Sequence, residues 1–462
     1  MRKLAVAAVA FVGLGQAAVA ADLPAKAPVL KAPMATTNWT GFYVNGGLGY
    51  GIWAADTTTN TPGGAPLNFV PQTQGGKGWL GRVGFGYDYH LFPKIVLGVF
   101  ADYDFSSLKG TIQDQSNLIA GEIKQESSWA AGARIGWLLA PQLLSYTNAG
   151  YTSARFSGAT LAPSAAGGVV TGTTQGFSRS GWFLGGGFET PIMNGFFWRN
   201  EYRYAYYGTQ TISDISSTGV TLNSITFKPT VQTVTTQLVY KFNPPGAPQP
   251  VHQAVSTIPA NWTGFYVNGG IGYGMWAAET AAASGVNETQ GGKGWLGVAG
   301  AGYDAQINPN IVLGVFGDYN YSSLKGTIQD QAAGLAGEIK QTRAWAAGAR
   351  AGWLVTPAVL TYVNGGYTNA RFSDATMLVT TSGADTGFRT GAFSKGGWFI
   401  GGGAEAPVFF PGVFWRNEYR YASYDSTTVS DCNAGVCASN ITFKPVVQTF
   451  TTQLLYKFGG PR

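Results

Sequence analysis

The chain has 462 residues, with only 11% charged, 14% aromatic, 67 Gly and a formal net charge of +6. Globular domains carry about a quarter charged residues, so this is not an ordinary soluble composition, and the absence of any Lys/Arg run excludes a nucleic-acid partner. After the first twenty residues no apolar stretch approaches the ~20 that a spanning helix needs, which leaves strands closed into a barrel as the way to cross a bilayer.

Taken in chain order, Arg2 and Lys3, the apolar run Leu4 to Leu14 and the small residues Ala18-Val19-Ala20 have the pattern of a secretory signal over 1–20, with cleavage between Ala20 and Ala21. Losing Arg2 and Lys3 lowers the charge from +6 to +4. Residues 21–37, with Pro24, Pro28 and Pro33, form a Pro-rich N-terminal segment. A first barrel repeat is expected over 38–242, with strands near 41–53, 77–90, 94–106, 124–139, 142–156, 179–192, 196–209 and 227–242. Each is an approximately 10-residue stretch of alternating hydrophobicity bounded by turn residues, the pattern of a membrane strand. Leu91-Phe92-Pro93, Ala140-Pro141 and Met193-Asn194-Gly195 read as tight turns. The other gaps, near 54–76, 107–123, 157–178 and 210–226, read as long loops rich in Thr, Ser, Gly and Ala. Short periplasmic turns with longer extracellular loops are the usual asymmetry of such barrels, and an even strand number leaves both termini in the periplasm.

Residues 243–260 hold five Pro and no apolar periodicity, so they read as a semi-extended linker. The sequence then repeats. Asn38 to Trp53 returns at Asn261 to Trp276 with two changes, Ser106 to Gln115 returns unchanged at Ser322 to Gln331, and Trp198 to Ala205 returns unchanged at Trp415 to Ala422. The second repeat, 261–458, gives strands near 264–276, 293–306, 310–322, 340–355, 358–372, 395–408, 413–425 and 443–458, before a tail at 459–462. Cys432 and Cys437, the two Cys of the chain, are spaced to close a small disulfide loop in the second repeat. A metal site there is a weaker reading, since no His lies nearby.

The alternation assigns faces. Trp129, Ala131, Ala133, Ile135 and Trp137 point to lipid and Arg134 points inward. By the same rule Arg82, Asp102, Asp104, Glu189, Arg199, Glu201 and Arg203 point inward, four positive against four negative with Arg134. In the second repeat Asp318, Arg350, Glu405, Arg416, Glu418 and Arg420 remain, while Arg82 becomes Val298 and Asp104 becomes Asn320, leaving three against three. Such balance is expected of an ion-pair network, because unpaired charge in a narrow barrel is costly. In the closing strands Gln237-Leu-Val-Tyr-Lys-Phe242 and Gln453-Leu-Leu-Tyr-Lys-Phe458, the Leu, Tyr and Phe face outward and the Gln and Lys inward. Trp and Tyr at strand ends read as interfacial anchors.

The opening Trp-Thr-Gly-Phe-Tyr-Val-Asn-Gly-Gly, the Trp-Arg-Asn-Glu-Tyr-Arg-Tyr strand, the Tyr-Lys-Phe ending and the Asp-Leu-Pro leader resemble the small outer-membrane proteins of α-proteobacteria. That family includes the Brucella 25 and 31 kDa outer-membrane antigens and the rhizobial RopB proteins. The resemblance implies an eight-stranded barrel with structural, surface-exposed roles, often described as a porin. Family members usually carry one unit and end on a C-terminal Phe that the barrel-assembly machinery reads. Here the unit is duplicated and Gly459-Gly-Pro-Arg462 follows Phe458.

Sixteen strands can form two narrow barrels or one wide one, and eight strands leave an interior that side chains fill whereas sixteen leave a channel. The complete strand set and balanced charges of each copy, with the long linker, favour two all-β, up-and-down antiparallel barrels. A structural outer-membrane protein passing little or no solute is therefore the leading expectation. A diffusion porin is the first alternative, and an adhesin or surface receptor acting through the loops is the second. The expected partners are outer-membrane lipid, lipopolysaccharide and the assembly machinery, with host or surface ligands open. Enzymatic activity and cofactors are not expected: His90 falls by a short turn and His252 in the linker, so no His-based triad or metal site can form at the outer rim. Gly46-Gly47-Leu-Gly49-Tyr-Gly51 lacks the Gly-Lys-Ser/Thr ending and helix of a phosphate loop.

Overall fold

Alternation of apolar and polar residues at period two is a strand pattern, and sixteen long strands carry it in the described part of the chain. The structure is a computed structural model and describes residues 37–165, 168–193, 195–242, 260–282, 287–408 and 410–458. The expected signal and its Ala20–Ala21 cleavage point, the Pro-rich segment up to residue 36, linker residues 243–259 with His252, and the tail at 459–462 lie outside the described residues.

In the first copy the wall strands are β1 Gly41–Asn60, β2 Gln72–Phe92, β3 Ile95–Asp114, β4 Ile119–Ala140, β5 Leu143–Phe156, β6 Phe177–Met193, β7 Phe196–Tyr207 and β8 Thr221–Phe242. Each pairs antiparallel with the next, and β8 returns to β1 with Tyr240 opposite Val44. The second copy has β9 Gly264–Ala282, β10 Glu288–Gln306, β11 Ile311–Asp330, β12 Leu335–Thr356, β13 Val359–Phe372, β14 Phe393–Pro407, β15 Val413–Tyr424 and β16 Val436–Lys457. Here β16 returns to β9 with Tyr456 opposite Val267, so this ladder also runs round on itself. Each ring thus satisfies its backbone groups internally, as the hydrocarbon requires.

The expected strand positions hold at the short-turn ends, but on the long-loop side the strands run further. β1 has 20 residues and β4 has 22, about twice the 9–11 that span a bilayer. The segments read as loops near 54–76, 107–123, 157–178 and 210–226 are largely strand extensions, joined by short strands at Ala159–Pro163, Gly172–Thr174 and Gln210–Ser216. The physical reason is a reversal of faces. Through the membrane band, β3 turns Leu97, Val99, Tyr103 and Phe105 outward and Asp102 and Asp104 inward. Past Ser107 the inward positions become Leu108 and Ile112, while Lys109 faces out and pairs with Glu122 at 2.9 Å. Register shifts sit at this level in both copies, between Phe105 and Leu108 and between Tyr321 and Leu324. A strand with water outside and an apolar filling inside carries no lipid-facing row, so a search for one stops at the membrane boundary.

That filling is an apolar cluster in each ring. In the first, Trp53, Leu108, Ile112, Ile123, Phe156 and Phe227 pack together, and in the second Trp276, Leu324, Ile328, Ile339, Phe372 and Phe443 do. A smaller cluster closes the opposite end, built on Trp39, Tyr43 and Phe197 in one ring and Trp262, Tyr266 and Phe414 in the other. Trp39 and Trp262 are therefore not lipid-interface anchors. They are buried plugs whose Nε1 donates to the carbonyls of Pro141 (3.2 Å) and Pro357 (2.9 Å). The outward Trp79, Trp129, Trp137, Trp182 and Trp198 do keep the girdle role.

Phe227 is fully buried and its ring meets Trp53 at 5.6 Å and Phe156 at 5.5 Å. Phe227→Ala is expected to cost the first barrel about 3–5 kcal/mol. Urea titration followed by the heat-modifiable gel shift of the refolded chain measures it, and a midpoint unchanged from wild type contradicts the packing described.

Candidate functional site in the barrel interior

Between the two apolar clusters of each ring lies a layer of charge. In the first ring Arg82 donates through Nε and Nη2 to both oxygens of Asp104 (2.7 and 2.8 Å) and through Nη1 to Glu201 (2.7 Å). Arg203 binds both oxygens of Asp102 (2.8 and 2.6 Å) and reaches Glu201 at 2.8 Å. Tyr146 and Asn148 donate to the other Glu201 oxygen, each at 2.9 Å. Nearer the short turns, Glu189 takes Arg134 at 3.0 Å, Arg199 at 2.8 Å and Lys241 at 3.0 Å. Asp88 takes Arg134 (Nε at 2.8 Å) and Lys241 (2.5 Å). The Tyr43 ring lies between the guanidinium groups of Arg134 (4.9 Å) and Arg199 (4.7 Å).

The sequence-expected inward residues of the first repeat thus meet in two bonded groups, one around Glu201 and one around Glu189, linked where the Tyr146 ring lies against Arg134 and Arg199. The second group adds Asp88 and Lys241, neither of which had been counted. Asp88 was legible: Val83, Phe85 and Tyr89 face lipid, so position 88 continues the inward row begun at Arg82. With these two, five cations (Arg82, Arg134, Arg199, Arg203, Lys241) face five carboxylates (Asp88, Asp102, Asp104, Glu189, Glu201). The second ring repeats the pattern with four against four. Asp304 and Glu405 hold Arg350 and Lys457, Glu405 also holds Arg416, and Arg420 bridges Asp318 (2.7 Å) and Glu418 (2.7 Å). Val298 replaces Arg82 and joins the apolar cluster, and Asn320 replaces Asp104.

The two rings touch along a seam on the long-loop side, and the seam is two-fold in its chemistry. Lys77 pairs with Glu279 at 2.9 Å, and its repeat counterpart Lys293 pairs with Asp56, the counterpart of Glu279, also at 2.9 Å. The Thr73 amide donates to Thr327 Oγ1 and the Thr289 amide to Thr111 Oγ1, both at 2.8 Å. Tyr50 meets Tyr421 at 5.6 Å and Tyr204 meets Tyr273 at 5.4 Å. Gln74 and Gln290, equivalent residues, face each other in a lone β-bridge between β2 and β10. Gly75 and Gly291 let these backbones approach, since a Cβ on either would lie 2.5–2.6 Å from the opposing carbonyl oxygen. Around the bridge, Gln113 donates to Glu288 and Gln329 to Gln72. This is the self-complementary geometry of an isologous dimer contained in one chain. Residues 107–114, expected as part of a surface loop, belong instead to the β3 wall and supply Thr111 and Gln113 to this seam.

Against known proteins, the family model described as "Outer membrane protein beta-barrel domain" matches residues 5–242. The chain belongs to that family. Over 236 residues, 49% of this chain and 93% of the relative, it is 27% identical to the 31 kDa outer-membrane immunogenic protein of Brucella melitensis, with the same values for that of Brucella suis. Among solved structures it is similar to a Pseudomonas aeruginosa FadL homologue, at 9% identity over 90% of both chains with a TM-score of 0.29. Neisserial surface protein A gives 18% identity over 43% of this chain and all of that one, with a TM-score of 0.24. It is an outer-membrane β-barrel protein.

As for chemistry, His90 is buried near the short-turn end of β2, at the opposite end of that strand from the long-loop side. Among the described residues no three His, Cys, Asp or Glu are grouped to hold a metal ion. The structure joins Cys432 to Cys437, which face each other across a hairpin whose turn residues Ala434 (φ 46°) and Gly435 (φ 86°) are left-handed. Two left-handed residues fit a two-residue hairpin turn.

Removing Glu189 strands Arg199 in a dry interior and leaves Arg134 and Lys241 to share Asp88 alone. Glu189→Ala is expected to destabilise the first barrel by about 3–5 kcal/mol, read as a fall in the urea midpoint, with Phe227→Ala as the uncharged reference. At the seam, burial pushes the Glu288 carboxyl up to about 8, with Asp330 adding to the rise. The joined seam therefore holds a proton that the separated, hydrated carboxyl releases above its ordinary 4.5. Seam strength is full below that value, falls as pH rises towards 8, and is level beyond. In chain cut at an engineered protease site in the linker, Glu288→Gln, which restores the first copy's residue, should hold the halves together at pH 8.5 at least about tenfold more tightly, about 1.4 kcal/mol. At pH 4 it should match wild type; equal behaviour at pH 8.5 counts against the assignment.

Proposed function

We propose that the chain is a structural anchor of the outer membrane. Two filled barrels hold a rim of strand extensions above the outer leaflet and pass little or no solute, without catalysing a reaction. The observation carrying this reading is the dryness of the charge layer. Glu189 and Asp88 are 0% exposed, Lys241 1% and Arg82 2%, although each points into the barrel interior between the two apolar clusters. A water-filled passage would wet these groups, and the apolar clusters above and below them leave it no mouth.

Orientation follows from the outer surfaces. The extensions carry exposed ion pairs such as Lys109–Glu122 and Arg155–Glu126, suited to water, and they rise on the long-loop side. That side faces the exterior in this proposal and the short turns and both termini face the periplasm, as in other outer-membrane barrels. One sixteen-stranded pore would need β8 to pair with β9, whereas here β8 pairs with β1.

Planar-bilayer recording on the refolded full chain tests the proposal. The expected trace is silent or shows rare, small events; large, stable conductance steps sink it.

A further inference from the structure

Just above the lipid-facing band the two repeats differ in charge. In the first, Lys109 stands opposite Lys124 on neighbouring strands, Glu122 is 2.9 Å from Lys109, and Glu126 is 3.3 Å from Arg155. In the second, Lys325 and Lys340 stand opposite each other with Glu338 between them, 4.0 and 2.9 Å away. There Thr342 replaces Glu126 and Arg343 replaces Ser127, while Arg371 keeps the place of Arg155. Three cations facing two carboxylates become four facing one.

The new arginine lands beside an old one. Arg343 and Arg371 are direct cross-strand partners of β12 and β13, both exposed, and neither is bonded to a carboxylate among the described residues. Like charges directly opposite each other in a ladder repel, so this pair gains from an anion placed between them. Its surroundings say where that anion comes from. Tyr321, 74% exposed, is the partner of Arg343 on the other side, and Trp345 and Tyr367 continue the lipid-facing rows below. Two guanidinium groups at the aromatic girdle sit at headgroup depth, and each presents a planar fork that matches phosphate oxygens.

We propose that Arg343 and Arg371, with Lys340 beside them, dock the phosphate of a membrane-lipid headgroup on the long-loop side of the second barrel. The first barrel has no such site, since Glu126 already occupies Arg155 and Ser127 brings no charge. The inference rests on the proposed reading of which band faces lipid.

Native mass spectrometry of the refolded full chain tests it, with phosphatidic acid and lipid A as anionic phosphomonoester probes and phosphatidylcholine, whose phosphodiester is neutralised by its own choline, as the zwitterionic comparison. The wild type should retain an anionic phosphomonoester lipid in preference to phosphatidylcholine. The double variant Thr342→Glu with Arg343→Ser, which installs the first copy's residues, should bind it about tenfold more weakly. The reciprocal Glu126→Thr with Ser127→Arg should add a second site. Unchanged affinity in the first variant overturns the proposal, as does a wild type without lipid preference. Full displacement by inorganic phosphate at millimolar concentration overturns the lipid assignment in favour of a free anion. Gel migration confirms that each variant folds, and the bilayer recording fails or succeeds independently of the lipid count, so the anchor reading and this site are judged separately.

Discussion

Charge inside a narrow barrel is tolerable only when each group finds an opposite partner within bonding distance, and the rest of the architecture follows from that requirement. Moving one ion out of water costs several kcal/mol even after relaxation. An interior of ten charged side chains therefore cannot be a loose collection. Glu189 and Asp88 share Arg134 and Lys241 between them, Glu201 is reached by Arg82, Arg203, Tyr146 and Asn148, and Arg199 depends on Glu189 alone for a carboxylate. The apolar clusters at both ends keep water out, which strengthens each pairing. The aromatic rings are part of the same device, with Tyr43 between two guanidinium groups and Phe183 under Arg203 at 4.6 Å.

Much of this was legible in the sequence because period-two alternation is a strong signal where one face meets lipid. The eight-strand count per copy, the short turns and the inward set from Arg82 to Arg203 rested on that signal. It faded where the outside of the barrel meets water. There Asp56, Lys109 and Glu122 are ordinary outward residues, and Leu108 and Ile112 point inward without any change in spacing. Trp39 was misread for a related reason: a Trp at a strand entrance has the same sequence signature whether it faces the interface or plugs the barrel end. What separates the two is the Pro141 carbonyl it reaches across the ring, 102 residues away.

The seam explains an identity that a loop reading could not. Ten residues, Ser106 to Gln115, are the same in both copies although nothing about a surface loop requires it. An isologous contact requires each patch to serve as both sides of the interface. Thr111 receives the amide of Thr289 while Thr327 receives that of Thr73, so a change in one copy is felt by the other. The same applies to Gly75 and Gly291, which face each other's carbonyl-bearing strands at a distance that only glycine allows.

The positions at which the copies diverge can then be ranked by how dry they are. In the interior, Arg82 and Asp104 are exchanged together, for Val298 and Asn320, and the net charge of the layer stays at zero. Losing the cation alone would leave a carboxylate buried against an apolar cluster. At the seam, Gln72 against Glu288 is an exchange without a charge partner, and the carboxyl answers by holding its proton, which is how a buried acid avoids carrying an isolated charge. On the wet outer face, Glu126 and Ser127 give way to Thr342 and Arg343 with no compensation inside the chain, because solvent screens what the fold does not pair. Only there can a copy gain net charge at little cost, and only there is the added charge left open to a ligand from outside the chain.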